Sequence, residues 1–369
     1  MTTWKWLGAG MLAAAAACAS AAATKPGIKL EARLPVNFGG VSNVVELADG
    51  RVAFADTKGR IFLMADLKSG KVDTVGTRSD SLAPSGDPSH YKFPGWVAHL
   101  AGDTVALVDF ATLRTTLWNE RGQPLGPLPI PPLAGATPML LYDQSGFGYK
   151  PDLTGIMGGG EPGQHALRDS TPVLRYQFST RRVDTVAKLS PPEMGEATFG
   201  EQKQQVAKIF SPNDVFGVMP DGRVWVARAR ENRVDWRGPG GVWIVGKPHK
   251  YDPVPVTEKD KQNVIARIRE QGRGRGLPDS LHLEWPFAEH KPAFESGIAS
   301  PSGEVWLQRP RASDGVQFIY DVFGPDGSWR RAVPFPDDVM LAGFGANGAI
   351  YGIIKDGDRR TVGRFRSTE

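Results

Sequence analysis

The sequence predicts an all-β chain: a six-bladed β-propeller whose N-terminal strand closes the last blade, with a short helical insertion. Three observations predict it. Short apolar strands recur around turns of the Asp-Gly type. Gly and Pro are abundant, 44 and 30 of 369 residues, and are scattered at turns rather than gathered in one linker. An alternating segment stands ahead of the first complete repeat, where it is free to pair with the last one.

The opening residues read as an address. Lys5 gives a thin positive region, residues 7–17 are apolar and alanine-rich, and small residues follow from Ala19 to Ala23. These are the three parts of a secretory signal peptide, and the apolar stretch falls short of the roughly 20 residues a membrane-spanning helix needs. Residues 1–23 are expected to leave as a signal, with cleavage near Ala21 or Ala23. Residues 24–369 then form a single domain outside the cytoplasm, in the periplasm or the medium, with no transmembrane segment. Cys18 is the only cysteine. It either departs with the signal or carries a lipid anchor, and the folded part has no disulfide in either case.

Residues 28–34, Ile-Lys-Leu-Glu-Ala-Arg-Leu, alternate apolar and charged, the pattern of a half-buried strand. The clearest repeat follows: Val44-Val45-Glu46-Leu47, the turn Ala48-Asp49-Gly50, then Arg51-Val52-Ala53-Phe54-Ala55-Asp56, with further strands at 60–64 and 72–75. The turn recurs at Gly102-Asp103, Ser145-Gly146, Asp221-Gly222, Ser302-Gly303 and Asn347-Gly348, each ahead of another strand. The copy at Ser145-Gly146 is the weakest. A four-stranded antiparallel unit cannot bury both faces alone. Stacking such units around an axis buries them and leaves few exposed edges. A β-sandwich is the alternative.

Gly50-Arg51-Val52-Ala53-Phe54-Ala55-Asp56 followed by Arg60-Ile61 resembles an NHL-type repeat, G-x-V-x-V-A-D…R-I. Gly222 to Arg228 with Arg233-Val234 is similar, but Arg228 stands in the aspartate position. Asp321-Val322-Phe323 with Pro325-Asp326-Gly327 resembles the outer-strand and turn segment of that family. The chain as a whole resembles the exported six-bladed propellers of bacteria. The resemblance implies a toroid with a binding face and does not imply one activity.

Two segments break the pattern. An insertion at about 255–290 contains a short helix, with Thr257 able to N-cap it, Asp260 three residues on, an apolar stripe of Val264, Ile265 and Ile268, and Gly272 as a stop. It is either surface decoration or a lid over one mouth of the ring. Residues 155–163, with Gly158-Gly159-Gly160, form a second irregular insertion.

Charge excludes one class of partner. The 44 basic and 40 acidic residues leave a net charge of only +4. They interleave, as in Glu231, Arg233, Asp235 and Arg237, whereas a nucleic-acid stripe is one-sided. Gly343-Phe344-Gly345-Ala346-Asn347-Gly348 matches G-x-G-x-x-G, but a strand follows it instead of the helix that a dinucleotide site requires. None of the six histidines has metal-ligand spacing, and no serine stands in a G-x-S-x-G elbow.

The register of the repeats carries the remaining chemistry. Counting from the second residue of each turn pair, the residue six further on is Asp56, Asp109 and Asp152 in the first three repeats, then Arg228 and Arg309. In NHL-type repeats an aspartate here ties down the following loop. The functional reading is a polarised mouth, one half acidic and one half basic, that orients a charged ligand. Eight before that same turn residue stand Ser42, Gly95, Pro138, Asp214, Glu295 and Met340, at the starts of inner strands. Asp214 and Glu295, with Asn213, form a partial set for Ca²⁺ or another divalent cation, as the likeness to six-bladed lactonases implies. No cofactor is otherwise expected. The leading expectation is a binding or scaffold propeller with a protein, peptide or carbohydrate ligand on one face. The alternative is a metal-dependent lactonase-like hydrolase.

Overall fold

The computed structural model describes residues 27–80, 87–129, 138–153, 169–273, 278 and 282–368. The expected signal peptide with Cys18, the loop 155–163 and His165 lie outside the described residues. Among the described residues stand six antiparallel sheets of four strands each, a three-stranded sheet, a parallel pair of two-residue strands and one helix.

Sheet 1 runs Val41–Glu46, Val52–Asp56, Ile61–Ala65 and Val72–Val75. Sheet 2 runs Pro94–His99, Val105–Asp109, Arg114–Trp118 and Pro124–Pro127. Sheet 3 is Leu141–Tyr142, Phe147–Pro151, Thr171–Gln177 and Val183–Leu189. Sheet 4 is Val215–Val218, Val224–Arg228, Arg233–Arg237 and Trp243–Ile244. Sheet 5 is Ser296–Ala299, Val305–Gln308, Ile319–Phe323 and Trp329–Pro334. Sheet 6 takes Val339–Phe344, Ile350–Asp356 and Arg359–Ser367 from the C-terminus and its outer strand, Ile28–Arg33, from the N-terminus. Leu30 pairs with Phe365 and Arg33 with Gly363, so the two ends of the chain share one sheet.

The turns between first and second strands follow from glycine. Gly50, Gly102, Gly146, Gly222, Gly303 and Gly348 all have positive φ, between 65° and 85°. Nothing lies within 4 Å of a Cβ built at Gly50, so conformation and not space requires glycine there. Leu47 N–H donates to the Arg51 carbonyl and Gly50 N–H to the Leu47 carbonyl, a three-residue hairpin loop ending in a left-handed residue.

Both faces of the sheets are covered, so the second strands of sheets 1, 2, 4 and 5 are apolar up to their last residue rather than strictly alternating. In Val52–Asp56, Val52 and Phe54 pack toward sheet 6 while Ala53 and Ala55 pack toward sheet 2. Six buried clusters result, each shared by two successive sheets. Trp118 of sheet 2 meets Phe62 of sheet 1, with ring centroids 5.6 Å apart. Tyr149 of sheet 3 packs with Val224 and Val226 of sheet 4, and Trp225 of sheet 4 with Leu307 of sheet 5. Trp306 of sheet 5 packs with Leu341 of sheet 6, and Tyr351 of sheet 6 with Phe54 of sheet 1. The sixth cluster joins Ala106 of sheet 2 to Tyr142 and Tyr176 of sheet 3. The succession closes on itself, which is the arrangement of a propeller.

Sheet 3 explains why its repeat is faint in sequence. Its first strand has only two residues, and its second and third strands are separated by residues 152–170.

Candidate functional site at the capped mouth

Antiparallel order puts the starts of the first strands and the ends of the second strands at the same end of every sheet. That end, opposite the glycine turns, is the mouth, and both sets of ring positions read from the sequence lie there.

Asp56 and Asp109 do the same job in sheets 1 and 2. Asp56 Oδ2 accepts from Gly39 N–H at 3.1 Å, and Oδ1 accepts from Gly40, Lys58 and Gly59 N–H at 2.9, 3.2 and 3.0 Å. Asp109 accepts from Lys92 and Phe93 ahead of its first strand, at 2.6 and 3.1 Å, and from Ala111 and Thr112 beyond its second, at 2.9 and 3.3 Å. Each buried carboxylate satisfies four backbone donors and pins two loops together. Asp152 is half-buried, and its charge opposes the effect of burial, which lowers the pKa of the Lys150 ammonium.

In sheets 4 and 5 the charges are exchanged. Arg228 occupies the place of Asp56, and the carboxylate comes from Asp214, just ahead of the first strand. Arg228 Nη1 donates to Asp214 Oδ2 at 2.9 Å and to the Lys188 carbonyl at 2.7 Å, and its Nε donates to Asp235 Oδ2 at 3.0 Å. Asp214 also accepts from Ser190 N–H at 2.8 Å and Ala229 N–H at 3.0 Å. Burial opposes the Arg228 charge, but the two carboxylates outweigh it and raise the guanidinium pKa. Arg309 makes a two-pronged pair with Asp321 at 2.7 and 2.8 Å.

Glu295, which holds the place of Asp214 in sheet 5, is not paired with an arginine. Its Oε2 accepts from Gln308 Nε2 at 3.0 Å; Gln308 Oε1 accepts from Tyr320 O–H at 3.3 Å, and Tyr320 Oη accepts from Leu341 N–H at 3.0 Å. Surrounding protein raises the carboxyl pKa by desolvation, against the donor Gln308 and the cations Arg311 and Lys291. The side chain is nevertheless exposed, as is Asn213, so Glu295 faces water at an opening rather than lying in the core. Asp214 and Glu295 stand on adjacent sheets at the same end. Among the described residues no three His, Cys, Asp or Glu side chains gather as a metal-binding group.

Two connectors pair with each other at the mouth end of sheets 4 and 5, and the unit they build is termed the cap for its position. The hairpin Met194–Phe199 with Gln202–Ala207 comes from the connector between sheets 3 and 4. Leu283–Glu284 and the helix Glu258–Arg273 come from the connector between sheets 4 and 5. Thr198 pairs with Glu284 and Phe199 with Leu283, and the Phe199 ring meets Trp285 edge-on at 4.9 Å. Thr257 and Asp260 cap the helix reciprocally: Asp260 N–H donates to Thr257 Oγ1 at 3.2 Å, and Thr257 N–H donates to Asp260 Oδ2 at 3.0 Å. Asp260 Oδ1 also accepts from the buried Lys291 Nζ at 2.7 Å, which itself reaches the Arg311 carbonyl at 2.7 Å. Burial by itself would raise the Asp260 pKa, but Lys291 and Thr257 outweigh it and hold the carboxyl at about 2. This ion pair fastens the helix to the start of sheet 5, four residues from Glu295. Lys291, Trp285 and the hairpin are the features that sequence reasoning missed. The capping box was the one visible signal.

No family model matches the chain, and no curated protein matches it in sequence. Solved structures do match its shape. A member of the DUF4221 family from Bacteroides vulgatus aligns over 94% of this chain and 100% of its own, with 8% identity and a TM-score of 0.52. A protein from Bacteroides fragilis, exported by assignment only, aligns over 92% and 94% with 10% identity and a TM-score of 0.50. A gluconolactonase from Xanthomonas campestris aligns over 93% and 95% with 13% identity and a TM-score of 0.44. At such identities the likeness concerns the fold alone, and it supports a β-propeller. No helix among the described residues is long and apolar enough to cross a membrane.

Proposed function

We propose that the protein is an exported, six-bladed, NHL-like propeller that acts as a binding protein and takes a peptide or carbohydrate ligand at the capped mouth. One observation carries this reading. Asp56, Asp109, Asp214, Arg228 and Arg309 are all engaged in holding loops and strand ends. Glu295 and Asn213, beside the cap at the same end, keep polar groups directed to water. The exposed Glu295 carboxylate and Asn213 amide offer acceptors and a donor, the groups that hydroxyls and amides recognise. The polarised ring of aspartates and arginines is on this view a loop-holding device, and the ligand groups are Glu295 and Asn213.

The alternative is a metal-dependent lactonase-like hydrolase holding Ca²⁺ with Asp214, Glu295 and Asn213. Their common end of adjacent sheets supports it. The Asp214 carboxylate does not fit the role, because both oxygens already accept from N–H donors and one from a guanidinium as well. A thermal-shift screen against a panel of oligosaccharides and short peptides tests the binding reading. At least one probe should raise the melting temperature of the wild type and not of Glu295→Gln. Failure of every probe, together with a Ca²⁺-dependent shift that Asp214→Ala and Glu295→Ala both abolish, would favour the hydrolase.

A further inference from the structure

The outer strands of the six sheets are not alike. Five carry residues that discourage pairing with another chain. Val72–Val75 has Asp73, Pro124–Pro127 begins and ends in proline, and Val183–Leu189 has Asp184 and Lys188. Trp329–Pro334 has Arg330, Arg331 and Pro334, and Ile28–Arg33 has Lys29, Glu31 and Arg33. The outer strand of sheet 4, Trp243–Ile244, has none of these, and its flanks are Val242 and Val245. All four side chains are exposed, Val242 at 74% and Val245 at 64%. Four consecutive exposed apolar residues on an open sheet edge need a reason.

The backbone there is half open. Gly238 N–H donates to the Val242 carbonyl, and Ile244 pairs with Trp236. Antiparallel alternation then turns the N–H and C=O groups of Trp243 and Val245 outward, where a further strand would meet them. A lipid surface cannot answer those groups, whereas an extended polypeptide can. The charges choose the kind of polypeptide. Residues 236–251 contain Arg237, Lys247 and Lys250 and no acid. Arg237 Nη1, on the strand next to the edge, is buried with no hydrogen-bond partner among the described residues. A second copy of the same edge would bring cations to cations.

We propose that the outer edge of sheet 4 is a docking strand for an extended segment of another protein, one in which apolar residues alternate with carboxylates. The segment adds as a fifth strand and its backbone meets Trp243 and Val245; its apolar side chains cover Val242 and Ile244 on one face, and its carboxylates meet Arg237 and Lys247 on the other, where Arg237 lies opposite Trp243. This surface does not depend on the mouth, so it stands or falls separately from the binding reading above.

The test uses the full folded chain and a fluorescein-labelled peptide of alternating valine and glutamate, about ten residues long, a length that spans a strand with room to flank it. The control peptide has lysine in place of glutamate. The glutamate peptide should bind saturably and the lysine peptide should not. Ile244→Lys, which gives this edge a charge as four of the other five have, should weaken binding at least about tenfold, a loss of ~1.4 kcal/mol. Arg237→Gln should weaken it less, and hydrogen exchange at Trp243 and Val245 should slow when the glutamate peptide binds. Circular dichroism establishes that Ile244→Lys is folded. Any of four results would overturn the proposal: no saturable binding, equal binding by wild type and folded Ile244→Lys, a dimer of the free chain that Ile244→Lys dissociates, or attachment to phosphatidylglycerol vesicles in place of the peptide.

Discussion

Sheets 1 and 2 and sheets 4 and 5 meet the same structural need with opposite charges. At the mouth end of each, the loop ahead of the first strand must be fixed to the loop after the second. Sheets 1 and 2 use one aspartate that accepts four N–H groups from both loops. Sheet 4 moves the carboxylate to the first-strand side and fills the vacated place with an arginine, so that Asp214, Arg228 and Asp235 form a chain of charges. Sheet 5 keeps the arginine, pairs it with Asp321 of the third strand, and leaves the first-strand acid, Glu295, hydrogen-bonded to Gln308 and without an ion pair among the described residues. The exchange frees one carboxyl at the mouth, next to the connectors that form the cap. Structural duty and exposure to water are thus separated within one repeated position.

Substitutions can break this comparison, and the largest effect is expected in sheet 4. Asp214→Ala removes the partner of a part-buried guanidinium and strips Ser190 and Ala229 of their acceptor. Breaking a buried pair in this way costs about 3–5 kcal/mol, read by urea denaturation. A loss under about 1 kcal/mol, typical of exposed pairs, would place Asp214 outside the structural set. Asp56→Ala comes next. It orphans four N–H donors that water reaches in part, and a loss of about 2–4 kcal/mol is expected on the scale of 1–3 kcal/mol for each fully buried unsatisfied group. Asp109→Ala should match it, since the two carboxylates accept from equivalent donors.

The cap gives a smaller effect that depends on pH. Asp260 is held at about 2 in the folded protein against 3.8 for the ordinary group. Its contribution is therefore complete above pH 3.8 and disappears as the pH falls through about 2. The protection of the helix Glu258–Arg273 against hydrogen exchange, taken relative to the unfolded chain at the same pH, should stay high at pH 4.5 and fall between about pH 3.8 and 2. Asp260→Asn should show lower protection at pH 4.5 and no such step, and the two proteins should converge as the pH falls through about 2. A step preserved in the variant would assign the pH dependence to another group.

These contrasts bear on what was legible in the sequence. The turn glycines were legible because positive φ leaves few alternatives to glycine, and all six expected turns lie between paired strands. The N-terminal strand was legible because one face of Ile28–Arg33 stays in water, which preserves its alternation. The helix was legible from Thr257 and Asp260. The hairpin Met194–Phe199 with Gln202–Ala207 was not, because its second strand is exposed along nearly its whole length and no apolar period develops. The register placed Asp214, Arg228 and Glu295 at one end of the sheets. It could not say which acid Arg228 would choose, because Asp214 and Asp235 lie on different strands and pairing depends on side-chain reach. Lys291 gave no signal, since a buried lysine is written in the sequence like an exposed one.

The most direct measurement compares the melting temperatures of Asp56→Ala and Glu295→Gln at pH 7. The raised Glu295 pKa means that its ionised form is disfavoured by folding, so its stability cost sets in as the pH rises past 4.5 and is present at neutral pH. Glutamine removes that cost and keeps an acceptor for Gln308. The separation of structural from available carboxyls predicts that Asp56→Ala melts several degrees below the wild type, while Glu295→Gln melts at the same temperature or higher. A Glu295→Gln protein that loses as much stability as Asp56→Ala would contradict it, because Glu295 would then be one more strut of the ring.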